Sequence, residues 1–327
     1  MQQETYKDHK KIYIALFSVV YLALFVLGLL NLQNIRDYIQ NYGYTAPVDV
    51  AKLANEDTMT PTTRKLFYLN KPSILNDVAS FRKYCSETKN IIVLGCYHTG
   101  QNGIYLYQTS NKELSGLLEV TAAHEVLHSV YERLPNKDKD ALNKQLQWFY
   151  DNKLSDQNVK AEIALYKKYE PSSVYDEMSC TFGTEIKILT PDLEKYYSKY
   201  FSNRITVYNF YIKYQSKFND KIAQIYNLGN QLTTIKSQIT NNQTKLTSSY
   251  NDLVNQQNSL NSLKQTSISQ YNSKIPAFNV LVNQYNSLRD STNSLISQYN
   301  SLVDQRNNLI TELNTLDKAI DTKVISS

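Results

Sequence analysis

The apolar positions along the chain keep several distinct rhythms, and each predicts a different kind of element. From Ile12 to Leu30 they are unbroken and carry no charge. As a helix those 19 residues would reach roughly 28 Å, about the thickness of a bilayer's hydrocarbon core, so they predict a transmembrane helix over 12–30. The residues that follow, Asn31-Leu32-Gln33-Asn34, have no small-residue cleavage pattern, which favours an uncleaved anchor over a signal peptide. Lys7, Lys10 and Lys11 precede the run and only Arg36 closely follows it. That bias puts residues 1–11 in the cytoplasm and the rest of the chain outside, as a single-pass protein of the cell membrane.

Residues 31–50 read as a connector, and 51–190 have the mixed patterning of a globular domain. Leu75–Tyr84 fits an amphipathic helix. Asn90–Tyr97 and Ile104–Gln108 fit two strands, with His98-Thr99-Gly100-Gln101-Asn102-Gly103 as the turn of a β-hairpin. Leu117–Leu134, Leu142–Tyr150 and Val159–Tyr169 have helical spacing. Ser173 and Asp176 fit the two ends of a capping box for a helix from Val174. Thr190-Pro191 opens a further helix, a linking element over 191–220 whose stripe runs through Tyr197, Phe201, Ile205, Tyr208, Tyr211, Ile212, Gln215 and Phe218.

From about 221 the composition turns to Asn, Ser, Gln, Thr and Leu, but the apolar positions stay periodic. Ile225, Leu232, Ile239, Leu246, Leu253 and Leu260 fall seven apart, and so do Leu281, Leu288, Leu295, Leu302, Leu309 and Leu316. Heptads sustained this long predict a coiled coil over 221–320. The register breaks at 267–277, where Pro276 is expected to interrupt the helix, and 321–327 form a tail. A helical hairpin is the simplest arrangement. Two intermolecular segments joined by a kink are the alternative, which would make the coiled coil a contact for a second copy or a protein partner.

Charge and cysteine content narrow the function classes. A net charge of +5 without a dense basic cluster gives no case for nucleic-acid binding. The three cysteines, Cys85, Cys96 and Cys180, form no Cys-x-x-Cys motif. A Cys85–Cys96 bridge and a set of ordinary buried thiols are both compatible with the spacing.

The chemistry is concentrated in Thr121-Ala-Ala-His124-Glu125-Val-Leu-His128. Two histidines at i and i+4 share a helix face and can bind one Zn²⁺ from adjacent turns. Glu125 can then act as general base towards the zinc-bound water without ligating the metal. With 4 histidines in the chain, chance would produce this spacing on the order of 0.002 times per chain, so the motif is specific. A catalytic site needs a third ligand and an open position. No third histidine follows at short spacing, and His98 lies in the predicted hairpin turn. The third ligand is therefore expected from Tyr175-Asp-Glu-Met-Ser-Cys-Thr-Phe-Gly-Thr-Glu185, with Glu177 favoured and Glu185 the alternative or a partner orienting a histidine. Asp176 suits capping better than ligation.

His124-Glu125-x-x-His128 followed by a glutamate on a later helix resembles the gluzincin branch of the zincin metallopeptidases. The resemblance covers about residues 85–190. It implies a small sheet whose edge strand aligns the peptide substrate above the two-histidine helix. It also implies a Tyr or His that stabilises the oxyanion, for which Tyr166, Tyr169 and Tyr175 are available. The chain departs from many gluzincins around Glu177, which is preceded by Asp176 and followed by Ser179-Cys180-Thr181.

The expected fold class is thus α+β: a mainly helical zincin-like domain with a small sheet or hairpin, preceded by one transmembrane helix and followed by a long α-helical coiled coil. The expected function is zinc-dependent hydrolysis of a peptide or protein substrate, by a membrane-anchored metallopeptidase with His124, His128 and Glu177 on the metal and Glu125 as base. A structural envelope protein acting through the coiled coil, with a non-catalytic metal site, is the rival reading.

Overall fold

The computed structural model describes residues 17–28, 31–85, 92–99 and 103–322. They fall into two compact units, one running to Lys213 and rejoined by Thr322, the other Tyr214–Asp321. After a helical stretch at 17–28, the first unit contains α1 (Leu32–Asn41), α2 (Val48–Glu56), α3 (Pro61–Leu69), β1 (Ser73–Leu75), α4 (Val78–Tyr84), β2 (Gly95–His98) and β3 (Gly103–Tyr107). A short 3-10 turn at Lys112–Leu114 leads into α5 (Leu117–Glu132), α6 (Asn136–Asn152), α7 (Gln157–Tyr169), α8 (Val174–Glu185), α9 (Pro191–Tyr197) and the start of α10 (Arg204–Thr266).

α5 is the axle of this unit. It packs on α8, on β2 and β3, and on α2 and α3. Its sequence explains the position: Leu117, Val120, Ala122, Ala123, Val126, Leu127 and Val130 are all buried, so the helix has apolar groups on most of its circumference. Ala122 and Ala123 bring neighbouring elements close. The helix starts at Gly116 with φ 102°, where a Cβ would stand 2.5 Å from the Phe210 carbonyl oxygen. Only glycine combines that dihedral with that approach. The sheet has the order β1-β3-β2, with β1 parallel and β2 antiparallel to β3, leaving β2 at an edge.

Several expectations need correction. The transmembrane helix is the first. Among the described residues no helix is long and apolar enough to cross a membrane. The single-pass fold, the membrane anchor and the cell-membrane placement with the domain outside are withdrawn with it. Segment 1–11, positions 12–16 and 29–30 of the expected span, part of the hairpin turn and the 323–327 part of the tail lie outside the described residues.

The connector at 31–50 contains helices, and Asp37 on α1 is buried against Arg133 at 2.8 Å. The strand Ser73–Leu75 occupies the start of the helix expected from Leu75, because its backbone pairs with Tyr105, Leu106 and Tyr107. The linking helix over 191–220 is cut at 198–203. There Phe201 is buried and bridges Met59, and the Tyr200 carbonyl accepts from Thr60 N. Arg204 restarts the helix, its buried guanidinium donating to Glu194 and to the Lys187 carbonyl at 2.8 Å.

The second unit comprises the rest of α10 and α11 (Ile268–Ile320). The Lys221–Glu312 ion pair and the Tyr250–Tyr285 ring contact link early positions on one helix to late positions on the other, so the two run antiparallel. The break is confined to Ser267, and Pro276 sits inside α11. Both Pro276 and Asn272, whose carbonyl loses its helical donor, are exposed, so water takes the place of the missing bond.

Candidate metal centre

His124 and His128 project from adjacent turns of α5 with ring centroids 5.0 Å apart. α8 lies against this face and puts the Glu177 carboxylate between the two rings. Glu177 Oε2 is 3.5 Å from His124 Nε2, and Oε1 is 3.8 Å from His128 Nε2. The glutamate is 9% exposed, and its Oε2 is buried with no hydrogen-bond partner. A buried carboxylate oxygen without a partner is costly unless a cation completes the site.

Asp176 orients this arrangement. His128 Nδ1 is 2.9 Å from Asp176 Oδ1, so that nitrogen is the donor and Nε2 is left facing Glu177. The Glu177 carboxylate therefore faces a positive charge at this point, either the proton of an imidazolium or a cation held between the rings. Burial opposes the charged form of His128, but Cys180, Glu177 and Asp176 around it prevail, and its pKa stands well above the ordinary histidine value. Burial likewise works to raise the Glu177 pKa, but His128 and His124 outweigh it and the net shift is downward. Two imidazoles and a buried carboxylate are donors of the kind that hold zinc, the ion taking the place of the proton when bound.

No family model matches the chain, and neither a curated protein nor a solved structure matches it.

Cys180 complicates the ligand set. Its Sγ and one nitrogen from each histidine lie within 4.8 Å of one another. The thiol also reaches the Asp176 Oδ1 at 3.8 Å, the same oxygen that holds His128 Nδ1. It therefore adjoins the orienting side of the ring, and burial pushes its pKa up. Glu177 faces both Nε2 atoms, while Cys180 completes a close three-atom group with the two histidines, so either residue can supply the third donor. Glu185 lies two turns further along α8. Its pKa is raised by burial and then by Glu162 and Asp156, and it hydrogen-bonds Tyr211.

Glu125 is buried beside the histidines, 5% exposed. Burial raises its pKa against the pull of His128 and His124, which moves it towards the range useful to a general base. The edge strand β2 meets it here. A Cβ on Gly95 would stand 2.6 Å from Glu125 Oε1 and 2.6 Å from Thr121 Cγ2, so only a glycine lets the strand lie this close. The three tyrosines separate clearly. Tyr175 donates to Gln147 and Tyr169 is exposed with Lys168 over its ring. Tyr166 hydrogen-bonds the Glu177 carboxylate, and burial, then Glu177, Glu162 and Glu125, drive its pKa up.

Sequence reasoning missed Asp176, assigned to a cap. Ser173 makes no side-chain cap bond, and Asp176 is spent on His128. It also missed Gly95, for which the only signal is a glycine inside a short apolar strand.

Proposed function

We propose that the chain is a zinc-dependent peptidase of the zincin type, with His124, His128 and Glu177 holding the ion. The observation that carries this reading is the buried Glu177 carboxylate set against both imidazoles, with Glu125 one residue from the first of them. Zinc, when bound, supplies Lewis acidity and lowers the pKa of water to about 7. Glu125 takes the proton of the attacking water and returns it to the leaving amine. Tyr166 donates to the oxygen on which charge develops. The substrate backbone adds to the outer edge of β2, which places its scissile carbonyl near Glu125. Asp176 keeps His128 in the tautomer the metal requires.

Zinc content and peptide cleavage of the wild type and of Glu125→Gln test the reading together. One zinc per chain in both, with a rate loss of about 10²–10⁴-fold in the variant, is the expected result. Zinc binding with no turnover of any peptide by the wild type would leave a metal-binding protein and defeat the peptidase reading.

A further inference from the structure

Cys85, just after α4, and Cys96, the second residue of β2, form a disulfide. Cys96 is adjacent to Gly95, whose backbone lies against Glu125. β2 is only four residues long and hydrogen-bonds to β3 on one side. Two non-covalent ties accompany the bridge. His98 Nε2 donates to the Tyr84 carbonyl at 2.6 Å, and the Tyr84 ring stacks at 4.2 Å on Tyr105, the cross-strand partner of Cys96. The bridge sits in its own small apolar cluster of Phe81, Cys85, Cys96 and Tyr107. The zinc ligands proposed above belong to α5 and α8, neither of which contributes to that cluster.

We infer that the Cys85–Cys96 disulfide is a positioning device that seats the edge strand against Glu125, so that its reduction disables the site without releasing the metal. This inference rests on the peptidase reading. In the reduced chain the apolar cluster still packs, so the strand loosens locally and the domain does not unfold. β2 then holds substrate less firmly, and Glu125 loses the close wall that Gly95 provides. His98 Nε2 also lies 3.4 Å from Cys96 Sγ, so the imidazole borders the bridge.

A trialkylphosphine is the appropriate reductant for the test. Phosphorus attacks one sulfur, the S–S bond breaks, and the phosphine leaves as its oxide with oxygen from water. The two electrons and two protons remain on the pair of thiols.

The full chain is assayed oxidised, reduced and reoxidised, with thiol counts by mass spectrometry, zinc content, kcat and KM, and hydrogen exchange across 92–99 and α5. The expected result is an unchanged zinc content and a fall in kcat/KM on the order of 10²-fold, with KM raised and kcat lowered. Exchange should accelerate at 95–98 but not in α5, and activity should return on reoxidation. The double variant Cys85→Ala/Cys96→Ala should have the low activity and ignore the reductant. A fully reduced chain that cleaves like the oxidised one, with unchanged exchange at 95–98, overturns the inference and leaves the peptidase standing. If the oxidised chain has no turnover either, the peptidase reading fails, and the exchange measurement alone still decides whether the bridge fixes the strand.

Discussion

The two units bury their side chains in opposite ways. In the unit that carries the site, Phe67, Phe182, Leu127 and Leu146 are fully enclosed, and ionisable groups such as Glu125 and Asp57 are buried among them. In the helical hairpin, Leu232, Leu260 and Leu316 are buried, but Ile239, Leu246, Leu253 and Leu295 on the same seam are only half covered. Two helices alone can shield one side of a side chain. The hairpin instead satisfies its many threonines locally: Thr233, Thr240, Thr244 and Thr247 each donate to the carbonyl four residues back. One unit gains its stability from three-dimensional packing, the other from repetition, and only the first can hold charged groups in a defined, water-poor geometry.

Truncating one core side chain in each unit is the strongest way to break this contrast. Phe182→Ala, which removes a ring packed 5.2 Å from Phe149, should cost about 3–5 kcal/mol in denaturant unfolding. Leu246→Ala, at a half-buried seam position, should cost about 1–2 kcal/mol, below the fully buried range. Equal costs would show that the seam packs as tightly as the site unit.

Asp176→Asn sharpens the contrast at the site. It keeps the shape but weakens the bond that orients His128, and zinc affinity should drop about 10–100-fold in a chelator competition. Unchanged affinity would assign Asp176 a purely structural place.

Asp57 offers a pH-dependent test. Both its oxygens are buried without a hydrogen-bond partner, and burial, then Glu119 and Glu56, raise its pKa well above the ordinary value. Below the unfolded pKa of about 4 the carboxyl is protonated in both states and costs least. As pH rises towards the folded pKa the unfolded chain ionises first, and stability is lost across that interval. Asp57→Asn should remove this loss and stabilise the domain by about 1–2 kcal/mol at neutral pH, with little effect below pH 4. A destabilised variant at neutral pH would mean that the carboxylate has a role of its own.

The smallest effect is expected at the Lys221–Glu312 pair, where the glutamate side chain is 56% exposed. Lys221→Met should change hairpin stability by only about 0.2–1 kcal/mol, and less at high salt.

Legibility in the sequence followed the same division. The heptads could be read directly, because a repeat states its own geometry, although Pro276 was given more disruptive power than a solvated helix face allows. The two histidines and Glu125 were equally legible, since one helix fixes their relation. What lay hidden depended on contacts between distant segments. Asp176 looked like a cap until α8 was laid on α5. The break at 198–203 depends on Phe201 meeting Met59. The seat of Gly95 on Glu125 joins residues 30 apart. The apolar run at 12–30 shows the limit of hydropathy, since among the described residues no helix is long and apolar enough to cross a membrane.

The zinc ligand set is the centre of the account, and X-ray absorption at the zinc edge of the loaded full chain measures it most directly. Two imidazoles and a carboxylate predict only nitrogen and oxygen scatterers, at about 2.0–2.2 Å. A sulfur shell at about 2.3 Å would put Cys180 on the metal in place of Glu177 and contradict it.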